Sequence, residues 1–479
     1  MSKLLTVDPL TRIEGHMSVE TAVESGKVSE VRIAGNMYRG FERMLLGRHP
    51  VDSARIAQRI CGVCHEVHGV SSVMALEQIF GITPPANGII LRDMILGLHI
   101  VTDHILHFYN LCLPDYVNLS SAAGYNGKDR DLRNISDWLS SSGTAFMQNR
   151  TEGNYIKDKD SARRFALNYF EAIKIRSQAA GGLAILGAKV PFIHALMPGG
   201  ITTEITTDAL MKYYRALDAT AEFVSSSFMP DVIEIAQRFP EYFDIGEAYN
   251  TFYAHQSFNS AKGDLFTQGV IADGEKVDFD YNKVKELIGS SYYKADGSPD
   301  ENAEGAYSWI KAPRYDGIPL ETGPIARAAV GNDEEFKSLL RRLGQKSIKS
   351  SVMGRLLARA HESVMLCNYL YGRTEEYVIG KPAIRAVDLQ APVSGEGIGF
   401  SVAARGALVH HITAYKGKVT DYKMIVPSTW NFGPTVDGRL GVAEKAVLGT
   451  PVNYGGVSGS IEVGRVIRSF DPCTACSIH

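Results

Sequence analysis

Two cysteine pairs of identical spacing stand near opposite ends of the chain. Cys61 and Cys64 lie in RICGVCHEVHG, Cys473 and Cys476 in DPCTACSIH. A C-x-x-C pair can place two thiolates on one metal, and two pairs make a four-thiolate ligand set. Three chemistries use such a set: a structural zinc site, an iron–sulfur cluster, or another soft, redox-active metal centre. Zinc ribbons and fingers keep their pairs within a few tens of residues, whereas Cys61 and Cys473 are 412 positions apart. A shared site would therefore tie the two ends of the chain together. No thioredoxin-like βαβ pattern surrounds either pair, so a dithiol redox motif fits poorly. Cys112 and Cys367 sit in apolar helical patterns and read as inert core thiols.

The elements that must position these cysteines follow from periodicity. MSVETAVESGKVSEVRIAG alternates apolar and polar residues about Ser25-Gly26, a hairpin signal. From Asp52 to Phe80 the pattern turns helical, with Asp52 or Ser53 as the expected N-cap. Helical periodicity also covers residues 88–112, 160–186, 206–238 and 333–372. Two polar stretches, 119–160 and 258–306, read as long loops. ALVHHITAYKGKVTDYKMIV reads as two strands about Lys416-Gly417, and the glycines of SGEGIGF read as turn glycines, since no dinucleotide-binding context surrounds them. There is no repeat, low-complexity tract or Pro/Ser-rich linker. The expectation is an α+β fold of one catalytic domain, 1–479: a central bundle of long helices with antiparallel β structure near both ends. Segments 1–80 and 380–479 would meet at the metal site.

Composition sets outer limits. The 479 residues are 45% apolar and 22% charged, with a net charge of −3. That balance is ordinary for a globular protein and offers no electrostatic footprint for nucleic acid. The longest apolar stretch, GIILRDMILGLHIVTDHILHFYNLCL, carries Arg92, Asp93 and Asp103, so it reads as a buried helix rather than a membrane span. MSKLLTVDPLTRIEGH lacks the basic start and apolar core of a signal peptide.

Together the motifs resemble the large subunit of nickel–iron hydrogenases. RICGVCHEVHG and DPCTACSIH resemble that family's R-x-C-G-x-C-x-x-x-H and D-P-C-x-x-C-x-x-H signatures. DPLTRIEGH, GNMYRGFE, KAPRYDG with ETGPIAR, MGRLLARAHE, GEGIGF with RGAL, and VPSTWN follow in family order. The resemblance runs from end to end and implies the large-subunit fold. It also implies a nickel–iron centre whose iron carries carbon monoxide and cyanide, with Cys61 and Cys473 as terminal nickel ligands and Cys64 and Cys476 bridging the metals. Some relatives carry selenocysteine at the position of Cys473. That residue would accept the proton when H2 splits, and Glu14 would carry it away. Arg405 would overhang the open side of the metal pair, positioned by Asp115 and Asp471. His68 would donate a hydrogen bond towards a bridging sulfur. Ser428, with the backbone of Val426 and Pro427, would cradle a cyanide. Glu42, His479 and the carbonyl of Met424 would hold a harder ion, usually magnesium.

Two positions depart from the family pattern: Ala404 replaces the usual proline before the arginine, and Val402 a usual glutamate. Losing the proline frees one φ angle and removes a wall atom from the pocket. The resemblance further implies a small subunit carrying iron–sulfur clusters, because this chain has no further cysteine cluster to conduct electrons. A maturation endopeptidase and nickel-insertion factors would act during assembly, so an end at His479 matches the processed form. The substrate would be H2. The N-terminal motif resembles respiratory uptake groups, which points to a periplasmic or periplasm-facing site, membrane-associated through the partner, with the cytoplasm as the alternative. Two other functions compete: the homologous nickel-free subunit of respiratory NADH:quinone oxidoreductase, which normally lacks all four ligand cysteines, and a structural zinc protein.

Overall fold

The expected first hairpin forms. In a computed structural model describing residues 3–141, 153–260, 263–452 and 461–479, β2 (Met17–Glu24) pairs antiparallel with β3 (Lys27–Gly35). Ser25 and Gly26 both take positive φ, 51° and 75°, which matches the right-handed twist of the flanking strands. A further strand, β1 (Lys3–Val7), adds to the outer side of β2.

The helical pattern from Asp52 is real but broken. A short helix, Asp52–Ala57, runs into a 3-10 turn, and the chain then opens at Cys61–Cys64 before α1 (His65–Phe80). Neither expected cap is used: Val51 stands at the cap position without a side-chain hydrogen bond, and Asp52 is the acidic residue of the first turn. A carboxylate there favours the positive end of the helix dipole.

The bundle comprises α2 (Ala86–Leu106), α3 (Lys159–Gly187), α4 (Thr207–Phe223), α5 (Met229–Arg238) and α6 (Val352–Glu376). α2 packs against α3 and α6, and α3 against α4. Nearly every residue of α2 is buried, as expected for a helix apolar on most sides. Side-chain caps start three of these helices. Asp158 accepts from Ser161 N–H, Thr206 from Ala209 N–H, and Ser351 from Gly354 N–H. π-helical turns at His107–Cys112 and Val224–Phe228 interrupt two runs shortly before Pro114 and Pro230, which lack the N–H that an α-helix needs. The stretch expected as helix over 333–372 is two helices, Glu334–Arg342 and α6.

The C-terminal sheet is an antiparallel meander, β4 (Gly395–Ala403), β5 (Gly406–Tyr415) and β6 (Lys418–Ile425). Lys416 and Gly417 make the expected turn at φ 49° and 75°. The SGEGIGF glycines are not turn residues. Gly397 and Gly399 lie within β4, where α1 crosses so closely that an added Cβ would stand 2.0 Å from Ala75 O and 1.9 Å from Ser71 O.

The two polar stretches hold more order than loops. Residues 119–141 include a helix, Arg130–Ser141, while residues 142–152 lie outside the described segments. The later stretch contains the hairpins Ser257–Ser260/Gly263–Phe266 and Gly269–Ala272/Glu275–Val277. Of the short helices that follow the C-terminal sheet, three bear on the site: α7 (Pro427–Phe432), α8 (Ile461–Ser469) and α9 (Thr474–Ser477). No helix among the described residues is long and apolar enough to cross a membrane.

Candidate metal centre

The first pair, Cys61 and Cys64, sits at a break just before α1, and the second straddles the start of α9, with Cys473 ahead of the helix and Cys476 within it. Their four sulfurs converge within 4.8 Å of one another, and all four residues are buried. Sγ–Sγ separations are 3.5 Å for Cys61–Cys473, 3.1 Å for Cys64–Cys476 and 2.6 Å for Cys473–Cys476. The thiols are free. Main-chain N–H groups of Val63 and Cys64 both point at Cys61 Sγ, 3.2 and 3.3 Å away. Burial opposes the thiolate of Cys61, but hydrogen bonds from the neighbouring thiols and the charge of Arg405 hold its pKa well below the thiol range. Hydrogen bonding to Cys473 pushes Cys64 up, and burial pushes Cys473 and Cys476 up. Four thiolates this close to one another, and this far from water, repel. A soft cation is what lets four thiolates coexist, so this donor set fits a thiolate-bound metal centre.

The chain ends are stitched together around the sulfurs. Glu14 N–H donates to Pro472 O (3.2 Å), and Thr474 N–H donates back to Glu14 O (2.8 Å), a parallel bridge. Gly15, at φ 87°, passes so close that an added Cβ would lie 2.3 Å from Thr474 Oγ1. The Arg39 guanidinium donates to Ile60 O, just before Cys61, and to Ala475 O (3.0 Å), between the second pair. From α6, Arg359 donates to the carbonyls of Ser469 (2.7 Å) and Phe470 (2.9 Å), and Arg355 lies over the Phe470 ring at 3.5 Å. Arg39, Arg355 and Arg359 had no assigned role from sequence, although each falls inside a quoted motif.

Arg405 stands in the two-residue loop between β4 and β5, since Ala403 pairs with Gly406. Its Nε donates to Asp471 O (2.9 Å), Nη2 to Asp471 Oδ1 (3.0 Å) and Nη1 to Asp103 Oδ2 (3.4 Å). Burial works against the guanidinium charge, but Asp471, Asp103 and the cysteines hold its pKa well above normal. Asp471 therefore contacts Arg405, and Asp115 does not. Asp115 pairs instead with Arg12 and with Arg468 Nη1 (2.8 Å), beyond the π turn that ends the α2 run. The second carboxylate on Arg405 is Asp103, inside α2. Both acids lie on one apolar run, and sequence spacing cannot tell which faces inward.

His68 is buried on α1 and joins His410 (Nδ1–Nε2, 3.1 Å), which in turn joins Tyr422 OH (2.7 Å). Burial pushes the pKa of His68 down to about 3, so the ring is neutral. Its hydrogen bond among the described residues goes to His410, not to a cysteine sulfur. Ser428 Oγ, on α7, accepts from Cys473 N–H (3.0 Å), and Val426 and Pro427 open that helix. Glu14 is half-buried. Burial, then the Cys61 charge, raises its carboxyl pKa, while Arg405 and Arg39 pull it down. Cys112 and Cys367 are buried thiols raised by burial, Cys367 to about 12.

Glu42 and His479 also meet. Glu42 Oε1 accepts from Met424 N–H (2.9 Å) and faces His479 Nε2 at 3.3 Å. Met424 thus lies beside Glu42 through its N–H. His479 Nδ1 donates to Cys476 O (2.6 Å), which turns Nε2 towards Glu42. Lys311 Nζ donates to Glu42 Oε2 (2.9 Å) and lies 3.8 Å from Glu286. Burial would raise Glu42, but His479 and Lys311 hold it at about 2. Glu286 Oε1 is buried without a hydrogen-bond partner, so the oxygen donors here fit a hard cation. Lys311 opens the KAPRYDG motif, which does not by itself disclose that the lysine pairs with Glu42, and Glu286 lies in no quoted motif.

Comparison with known proteins agrees with this geometry. The family model described as nickel-dependent hydrogenase matches residues 39–479. The chain is 32% identical to the periplasmic [NiFeSe] hydrogenase large subunit of Desulfomicrobium baculatum, covering 99% of this chain and 94% of that one. It is 30% identical to the hydrogenase-2 large chain of Escherichia coli K12, with 100% and 97% covered. The reduced Ni-Fe-Se hydrogenase structure from D. vulgaris Hildenborough superposes at a TM-score of 0.88 with 33% identity and complete coverage of both chains.

Proposed function

The chain belongs to the nickel-dependent hydrogenase family, and on that premise we propose how its residues carry the reaction. It is the large, catalytic subunit of a hydrogenase, an oxidoreductase acting on H2 with a small-subunit partner. The observation that carries this reading is the convergence of four buried sulfurs from segments 412 residues apart.

In this reading the thiolates of Cys61, Cys64, Cys473 and Cys476 would together hold a centre of nickel and an iron that carries carbon monoxide and cyanide. When bound, the centre supplies the site at which H2 is polarised and gives up its electrons. Cys473 Sγ takes the proton, and the Glu14 carboxyl passes it on. A carboxyl raised by burial suits that relay, because its pKa moves towards neutrality. Asp471 and Asp103 hold the Arg405 cation over the open side, where it stabilises developing negative charge. With its oxygen satisfied by Cys473 N–H, Ser428 has a hydroxyl proton to give to a cyanide nitrogen, beside the backbone of Val426 and Pro427. His68, expected to donate towards a bridging sulfur, would act on the centre only through space, since its hydrogen bond goes to His410 while the Cys61 charge is felt at its ring. Glu42, His479 and the carbonyl of Met424, with the unpartnered oxygen of Glu286 nearby, would hold magnesium or another divalent ion behind the C-terminal turn.

The small subunit would carry iron–sulfur clusters that take up the electrons, and an endopeptidase and nickel-insertion factors would complete assembly. A periplasmic or periplasm-facing location, membrane-associated through the partner, rests on the periplasmic relative and on the N-terminal motif.

Metal analysis and infrared spectroscopy of the purified complex test this reading. Stoichiometric nickel with bands of metal-bound carbon monoxide and cyanide is expected. Zinc in place of nickel, with no such bands, would overturn it.

A further inference from the structure

A second group of metal-ligating side chains begins one residue beyond Cys64 and is separate from the four sulfurs. His65 and Glu66, in the first turn of α1, and His99, on α2, bring two ring nitrogens and a carboxylate oxygen within 4.8 Å of one another. Glu66 Oε2 touches His65 Nδ1 and lies 3.1 Å from His99 Nδ1. All three residues are buried, Glu66 completely at 0% exposure.

The partners of these atoms decide what the group can hold. His99 Nε2 faces Asp103 Oδ2 at 3.6 Å, which favours the ring proton on that side and leaves the Nδ1 lone pair towards Glu66. Metal-bound imidazoles are commonly oriented by a carboxylate on the far nitrogen in this way. His65 Nδ1 accepts a long bond from the main-chain N–H of Phe192 (3.3 Å), so it too presents a lone pair. Both oxygens of Glu66 are buried without a hydrogen-bond partner. Three electron-pair donors therefore face one another away from water. A carboxylate in that position needs a compensating positive group.

We propose that His65, Glu66 and His99 form a binding site for a first-row divalent cation of the zinc class. Two imidazole nitrogens and one carboxylate oxygen, with water in the fourth position, suit Zn2+ better than the oxygen-seeking Mg2+ or Ca2+. The ion would clasp α1, which begins directly after Cys64, to α2, which carries Asp103. It therefore couples a cysteine loop to a carboxylate that holds Arg405. The Phe192 N–H contact yields when the ion binds, because both use the same nitrogen.

The test uses the intact complex with its small subunit, produced with zinc in the medium. Anomalous diffraction at the zinc edge is expected to place one peak between His65, Glu66 and His99. In His99→Ala, elemental analysis is expected to show one zinc equivalent fewer per complex with nickel unchanged, which separates this site from the four-cysteine centre. No anomalous peak between the three side chains of the zinc-supplied wild type would overturn the proposal, leaving shared protons as what joins them. Full retention of zinc by His99→Ala would overturn it equally. Should His99→Ala fail to accumulate, the wild-type map alone decides.

Discussion

The main-chain carbonyl of Glu14 accepts two hydrogen bonds from Thr474, one from its N–H and one from its hydroxyl, both 2.8 Å. Glu14 is thereby fixed beside the residue that follows Cys473, however its side chain turns. Proton transfer needs a donor and acceptor held within reach, and this backbone clamp supplies that constraint independently of the carboxylate.

Glu14→Gln keeps the clamp and removes the proton carrier. Turnover is expected to fall by about 10²–10⁴-fold, the usual range for loss of an acid–base group, with nickel content unchanged. Hydrogen uptake and H2/D2O exchange measure the effect. Exchange at the wild-type rate would remove Glu14 from the proton route.

Asp103 and Asp115 should separate by phenotype. Asp103→Asn leaves Arg405 with one carboxylate instead of two, so kcat is expected to drop with little change in melting temperature. Asp115→Asn strips a buried partner from Arg12 and Arg468, and breaking such a pair costs roughly 3–5 kcal/mol. That variant is expected to lose Tm first, and per-nickel kcat should survive in the folded fraction. Measuring kcat and Tm for both variants checks the assignment. A loss of per-nickel kcat confined to Asp115→Asn would reverse it.

Two glycine replacements should act in opposite directions. Gly399→Ala would drive a methyl group into Ser71 O, and overpacking of this kind costs about 1–3 kcal/mol or more. Gly372 lies in α6 with nothing within 4 Å of an added Cβ, so Gly372→Ala is expected to stabilise by roughly 0.4–1 kcal/mol through the unfolded state. Thermal melts of the two variants report both signs.

Acid should strike the bundle at Glu362. Burial alone would raise this carboxyl, but Arg327 (2.6 and 2.7 Å) and His104 (3.0 Å) hold it at about 2, against an ordinary 4.5. A depressed carboxylate contributes its stability fully above its unfolded pKa and loses it as pH falls through the folded one. The window is therefore pH 4.5 down to about 2, and the contribution is on the order of 3 kcal/mol. Glu362→Gln is expected to be less stable at neutral pH and to flatten the stability–pH curve across that window, as read by denaturant titration.

What could be read from sequence followed the strength of the local signal. The four cysteines carry their chemistry in residue type and spacing, and the structure brings all four together. The Ser25-Gly26 and Lys416-Gly417 hairpins were equally legible, because alternation and turn residues agree there. Asp115 was mistaken for Asp103 because facing within a buried helical run is a tertiary property. Gly397 and Gly399 were misread for a related reason: a glycine needed for close approach of a helix to a strand looks like one needed for a turn. Lys311 sits in KAPRYDG and Glu286 in no motif, yet both reach Glu42 only through folding, so their pairing with it could not be read from spacing.

The cysteine ligands come from positions 61–64 and 473–476, with a carboxylate at 14 bound to the later pair by backbone. Synthesis runs from the N-terminus at about 5–20 residues per second, so the second pair follows the first by roughly 20–80 s. Throughout that interval Cys61 and Cys64 have no partner pair to close on. The centre therefore has no half-built form on the ribosome. A metal that needs all four sulfurs must wait for the whole polypeptide, and a chain truncated anywhere before Cys473 cannot build the site.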